Sequence, residues 1–202
     1  MAQVLAIVAS VLFVLRLLAL VALHVRPGGI HPVRHAVSDY AASSAPSTRR
    51  LAAVASWLAA AAWAVLGVTV LTLPAATSHT GLGVWLLVLA VVLAVMPRVP
   101  TDAPGEPVTS RGRLHLVLAV AWFAIAYSTI GPLTRLLAGA TGAPAPGILP
   151  VLHVIAAIAL VSLVVSLLVR ALRERTFGLS ERVFILAVTL APLIVSVGLA
   201  AA

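Results

Sequence analysis

The sequence predicts an all-α polytopic membrane protein, a bundle of six transmembrane helices with a long, partly helical first loop. Three observations predict it. The 202 residues are 62% hydrophobic and only 9% charged, against about 25% charged in a soluble domain, so water is not the solvent for most of the surface. Several apolar runs reach the roughly 20 residues that a helix needs to cross a bilayer core, and the alternating strands of an outer-membrane barrel are absent. Eleven of the thirteen arginines and all five acids fall in the first, third and fifth gaps between those runs, which alternating spans place on one membrane face.

A single domain over residues 1–202 holds spans at about 4–25, 51–73, 81–96, 114–138, 148–169 and 182–201. The first run follows no basic segment and precedes no clear cleavage site, so it reads as a retained helix. Pro27-Gly28-Gly29 ends it. The second run is rich in small residues, Ala59 to Ala62 and Gly67, which let helices approach closely where lipid supplies no hydrophobic drive. Pro74 and Pro97 end the second and third spans, and Ser110 and Ser180 are the caps expected for the fourth and sixth. Pro132 kinks the fourth, because it cannot donate to Ser128.

Arg26, Arg34, Arg49 and Arg50 lie in the first loop, Arg98, Arg111 and Arg113 in the third, and Arg170, Arg173, Arg175 and Arg182 flank the fifth. The positive-inside rule makes these loops cytoplasmic and leaves both termini outside, in a cell-membrane protein. Topogenesis and attraction to anionic lipid explain the net charge of +8 better than nucleic acid does, given so little soluble mass. The absence of cysteine excludes disulfides, thiolate metal sites and thiol nucleophiles.

The first loop is far longer than the roughly 2–8 residues that usually join a helical hairpin. Pro32 suits the first turn of a short helix, on which His31, His35, Ser38 and Asp39 share one face. In the third loop, Asp102 leaves the third span and His115 opens the fourth, so both face the side of the first loop. Arg111 and Arg113 stand at a helix N-terminus, where backbone N–H groups favour a phosphate. Arg16 lies near the middle of the first span, where an arginine costs about 2.5–3.5 kcal/mol on insertion scales. It needs a partner: Asp39 from a dipping loop, an anionic ligand, or backbone carbonyls and hydroxyls.

The motifs Ser38-Asp39-Tyr40, Pro100-Thr101-Asp102 and His115 resemble those of a family of six-span prokaryotic membrane proteins, domain of unknown function 998. That family typically carries Ser and an acid in the first loop, Pro-x-Asp after the third helix and a downstream His. The resemblance runs through nearly the whole chain in helix count and motif order. Tyr40 departs from the commoner Leu, and the cysteines often found near Pro-x-Asp are absent. The resemblance implies the six-span fold and directs attention to the same residues; it implies no reaction.

Three functions fit. The first is a binding protein whose one-sided polar pocket takes a membrane lipid headgroup or small anion, with Arg16, Arg111 and Arg113 as ligands. The second is a metal-dependent lipid hydrolase. There His31, His35 and His115 bind Zn²⁺ with Asp39 or Asp102 and leave a water position open, while Ser38, Asp39, Asp102 and His115 are the catalytic candidates. The histidine spacing lacks the Glu of a His-Glu-x-x-His motif. The third, a small permease, is disfavoured by the absence of an internal repeat and of intramembrane acids. A haem between His24 and His115 is disfavoured too, since paired ligands in membrane haem sites usually lie within the bundle.

Overall fold

The computed structural model describes residues 1–25, 30–74, 76–102 and 107–202, with backbone alone described at 76–78, 170 and 174. Six α-helices cross the bundle: α1 (Ala2–Val25), α2 (Pro46–Leu71), α3 (Ala76–Val95), α4 (Ser110–Thr141), α5 (Ile148–Leu168) and α6 (Arg170–Ala201). All six contain a stretch long and apolar enough to span a bilayer. Each packs on its neighbours in the chain, and α6 returns to α1, so the helices close a ring with α4 also touching α6. The predicted Pro27-Gly28-Gly29 stop and the Pro/Gly-rich stretch at 103–106 lie outside the described residues.

The predicted small-residue contact has a specific form. Gly67 of α2 faces Gly83 of α3, and a Cβ on Gly67 would stand 3.1 Å from the Gly83 carbonyl oxygen. On the other side of α2, Trp63 meets Phe13 of α1 edge-to-face at 5.4 Å, a geometry favoured by the ring quadrupoles. Between α5 and α6, Ser162 pairs with Ser180 at 2.7 Å and Ser166 with Thr176 at 3.0 Å.

Three expectations about helix ends are corrected. The fourth helix is capped by Thr109, whose side chain accepts from Gly112 N–H at 3.1 Å, so Ser110 is already helical. Ser180 caps nothing: it is buried inside α6. The fifth loop is missing, because α6 begins at Arg170 with only Val169, in extended conformation (φ −111°, ψ 101°), after α5. Arg and Glu are good helix formers, and hydropathy reads their run as a gap where the backbone reads helix. Glu181 therefore sits inside an apolar helix, 6% exposed, which corrects the expectation of no acid within any span. Pro132 lies within α4.

The first loop is partly helical, in a different form from the predicted one. A turn at Pro32–Arg34 leads to extended Ala36 and then a 3-10 helix, Val37–Ala42. The turn closes with His35 N–H on the His31 carbonyl at 2.9 Å and does not go on as an α-helix, because side chains take the next backbone donors. His31 N–H donates to His35 Nδ1 (3.1 Å), Ala36 N–H to Asp39 Oδ2 (2.9 Å) and Val37 N–H to Glu181 Oε2 (2.6 Å). The shared face of His31, His35, Ser38 and Asp39 is lost with the helix.

Gly178 of α6 is where this loop is seated. A Cβ there would collide with the His35 carbonyl oxygen and stand 2.9 Å from that of Pro32. Backbone does not step aside as a side-chain tip does, so Gly178→Ala should cost on the order of 1–3 kcal/mol, as overpacking does. Gly139→Ala, in α4 with open space around it, should leave the melting temperature unchanged or raise it. Thermal unfolding in detergent checks the pair, and equal shifts would contradict this seating.

Candidate functional site

The ring of helices is packed at one end and hollow at the other. At the end carrying the first and third loops lies a cavity of about 1670 Å³, to which all six helices contribute. Trp122, Phe123 and Ile185 line its inner part, in an aromatic cluster where Phe123 and Phe184 are 4.9 Å apart. Among the described residues, five arginines (Arg16, Arg34, Arg49, Arg173, Arg175) and three carboxylates (Asp39, Asp102, Glu181) line the polar part.

Arg16 lies nine residues before the end of α1, about 14 Å along the axis at 1.5 Å per residue. It is 6% exposed and lines the cavity. Its Nη1 donates to the Ala55 carbonyl at 3.3 Å, and its Nε has no partner. The backbone-carbonyl alternative is thus the one realised, through a single long bond. A buried guanidinium holds five donors in a fixed fork, and this one is under-satisfied.

The loop that walls the cavity is clasped to α6. Arg182 Nη1 donates to the His35 carbonyl at 2.7 Å and to that of Gly178 at 2.9 Å, and Leu179 N–H reaches the Val33 carbonyl at 3.2 Å. Arg182 Nε donates to His24 Nε2 at 2.6 Å, while His24 Nδ1–H donates to Leu20. Both nitrogens of His24 are engaged, which leaves none for a haem iron. Asp39 lines the cavity beside Ser38. Burial pushes the Asp39 carboxyl above its usual range, partly offset by the Ala36 N–H and by the charges of His35, Arg173 and Arg182.

The third loop folds onto the start of α4. Asp102 Oδ1 accepts from the Thr109 hydroxyl at 2.7 Å and Oδ2 from Thr109 N–H at 2.9 Å. Its carboxylate lies against Gly112, where a Cβ would collide with it. The anion position at the α4 N-terminus, predicted for a phosphate, is therefore filled by the chain's own carboxylate. Arg111 and Arg113 are exposed and outside the cavity lining. His115 is 7% exposed; its Nδ1 is 2.6 Å from the Val99 carbonyl, and its Nε2 has no partner. A carbonyl only accepts, so Nδ1 carries the proton and the neutral ring has a bare Nε2.

Of the residues singled out from sequence, Arg16, His35, Ser38, Asp39, Asp102 and His115 line one cavity, and His31, Arg111 and Arg113 do not. His31 is exposed and its Nδ1 accepts from Val33 N–H. Among the described residues no three His, Asp or Glu side chains gather to hold a metal, so the His31, His35, His115 set does not assemble. Glu181, Arg173 and Arg175 belong to the site and were not chosen. Their signal was present in the Arg173 to Arg182 charge pattern, but it reads as topology alone until α6 is known to be continuous. Each of the three carboxylates accepts from a backbone N–H: Asp39 from Ala36, Asp102 from Thr109 and Glu181 from Val37.

A family model described as protein of unknown function (DUF998) matches residues 7–198. The chain belongs to that family. No curated protein and no solved structure matches it.

The bonds from Thr109 hold the Asp102 carboxyl below the usual carboxylate range. A depressed folded-state value stabilises the fold above the ordinary aspartate value and is lost as pH falls through the lowered one. Amide exchange at Gly112 and Arg113 should therefore accelerate below about pH 4, relative to the rest of α4. In Asp102→Asn the acceleration should be absent, and a wild-type profile in that variant would refute the assignment.

Proposed function

We propose that the cavity binds an anionic group, a lipid headgroup or a small anion, at the charged end of a single six-helix transmembrane domain. Arg16 carries the reading: a buried, under-satisfied guanidinium that lines the cavity. Asp39, Asp102 and Glu181 each accept a backbone N–H, and the Nε of Arg16 is left as a donor for a ligand. Charge-assisted bonds to such donors are roughly twice as strong as neutral ones. The positive-inside rule puts this end on the cytoplasmic side of the cell membrane, with both termini outside.

The metal-dependent hydrolase has less support. His35 and His115 line the cavity, and the bare Nε2 of His115 suits a proton acceptor, but no third ligand gathers with them among the described residues. The permease has less still, for the lining stops near Trp122, Phe123 and Ile185 rather than crossing the bundle.

Arg16→Met tests the proposal. It removes the buried charge while keeping an unbranched apolar chain, and such replacements are often neutral or stabilising for the fold. Native mass spectrometry should show bound anionic phospholipid falling about tenfold or more, the loss of one charge-assisted contact. Arg135→Met, outside the cavity, should match wild type. Undiminished anionic lipid in Arg16→Met, with its melting temperature preserved, would overturn the reading.

A further inference from the structure

One side of the cavity is lined by apolar residues that are also solvent-exposed. Along α4, Leu116, Val120 and Ala124 line the cavity and are exposed. Along α5, Val164, Leu167 and Leu168 do both as well. Spacings of three and four place each set on one helix face. These two faces are the ones that meet towards the other end. The α4 stripe continues through Tyr127 and Gly131, and the Tyr127 ring packs at 5.0 Å, tilted, against that of His153, which lies on the α5 stripe. A Cβ on Gly131 would stand 3.7 Å from the same His153 ring. The helices therefore touch at Tyr127 and His153 and part towards the charged end.

Between Leu116 and Tyr127 the cleft is eleven residues tall, about 16 Å at 1.5 Å per residue, which matches half of a bilayer core roughly 30 Å thick. Its walls are apolar, and neither Arg111, Arg113 nor Arg135 of α4 lines the cavity. The cleft joins the chamber that holds Arg16, Arg173 and Arg175. One end suits an anion and the other a hydrocarbon chain, within a single continuous space.

We propose that the α4–α5 cleft is a lateral portal through which the acyl chain of an anionic phospholipid enters from the leaflet, with the headgroup at the arginines. The proposal rests on the anion-binding reading above and adds the chain as part of the ligand. A soluble phosphate ester alone would need no opening facing hydrocarbon. A chain held in the cleft remains half in the leaflet, so exchange requires no withdrawal of the lipid into water.

The experiment separates head from tail. Wild type, Val120→Trp and Arg16→Met are placed in nanodiscs of zwitterionic phosphatidylcholine. Glycerol 3-phosphate and lauroyl lysophosphatidic acid are then titrated, and binding is read as the shift in melting temperature. Val120 is 54% exposed, so a tryptophan there fills the cleft without entering the core. Wild type should bind the acylated probe at least about tenfold tighter than glycerol 3-phosphate. Val120→Trp should lose that advantage and keep glycerol 3-phosphate binding. Partitioning into the disc is the same for both proteins, so it cannot mimic the difference. An acyl advantage unchanged by Val120→Trp, or none in wild type, would overturn the portal while leaving the anion site standing. Failure of wild type to bind either probe would overturn the anion site itself.

Discussion

The bond between Val37 N–H and the buried Glu181 carboxylate is the constraint on which the charged end depends. Each group is expensive alone. A carboxylate removed from water demands compensating donors, and the first N–H groups of a helical segment have no partner within it. Here a helix interior supplies the acid and a loop supplies the donor. Arg182 completes the junction from the next position, holding the carbonyls of His35 and Gly178 and the ring nitrogen of His24. Irregular backbone at the membrane boundary persists only where protein or a watery cavity satisfies it; α6 satisfies this loop. Once fixed there, residues 34–39 become a cavity wall rather than a solvated connection.

The same economy governs charge throughout the site. Three acids near five arginines would ordinarily suggest a network of ion pairs that neutralises itself. Asp39, Asp102 and Glu181 each also accept a backbone N–H, and all three of those bonds help to shape the loops. Arg49 is likewise spent on structure, donating to the carbonyls of Ser43 and Ser44 at 2.7 and 2.9 Å. Arg16 is the contrast, because one bond of 3.3 Å is a small return for a buried guanidinium.

Much of the fold was legible in the sequence, for reasons that also explain where legibility ended. Hydropathy sees which residues avoid water, so six spans emerged, and the alternation of charged gaps placed the first and third loops and the start of α6 together. It does not see where a helix stops. The run Arg170 to Glu181 is polar yet helical, and reading it as a loop hid Glu181 from the set of buried acids. In the first loop a period of 3.6 was the natural assumption for His31 to Asp39. The actual register depends on an acid 144 positions away taking the Val37 donor, which no local pattern encodes. Asp102 and His115, read from sequence as facing the side of the first loop, line the cavity, whereas Arg111 and Arg113 do not. Their helix start attracts an anion as expected, and the anion is Asp102.

The hollow at this end has an energetic meaning beyond its shape. Apolar voids cost roughly 24 cal/mol per Å³ in packed proteins, so an empty, sealed space of 1670 Å³ would cost about 40 kcal/mol. Whole domains are stable by only about 5–15 kcal/mol. A fold cannot carry such a space as a packing defect, and it must be a filled volume. Water can occupy the part lined by Asp39, Asp102 and the arginines, where each molecule finds two or more polar partners. It finds none beside Leu116, Val120, Val164 and Leu167. Apolar surface in that stretch is content only against hydrocarbon, and the bilayer core is the hydrocarbon within reach. The division of the cavity into a wet part and an oily part thus follows from its lining, with the polar groups on one side and the α4 and α5 aliphatics on the other.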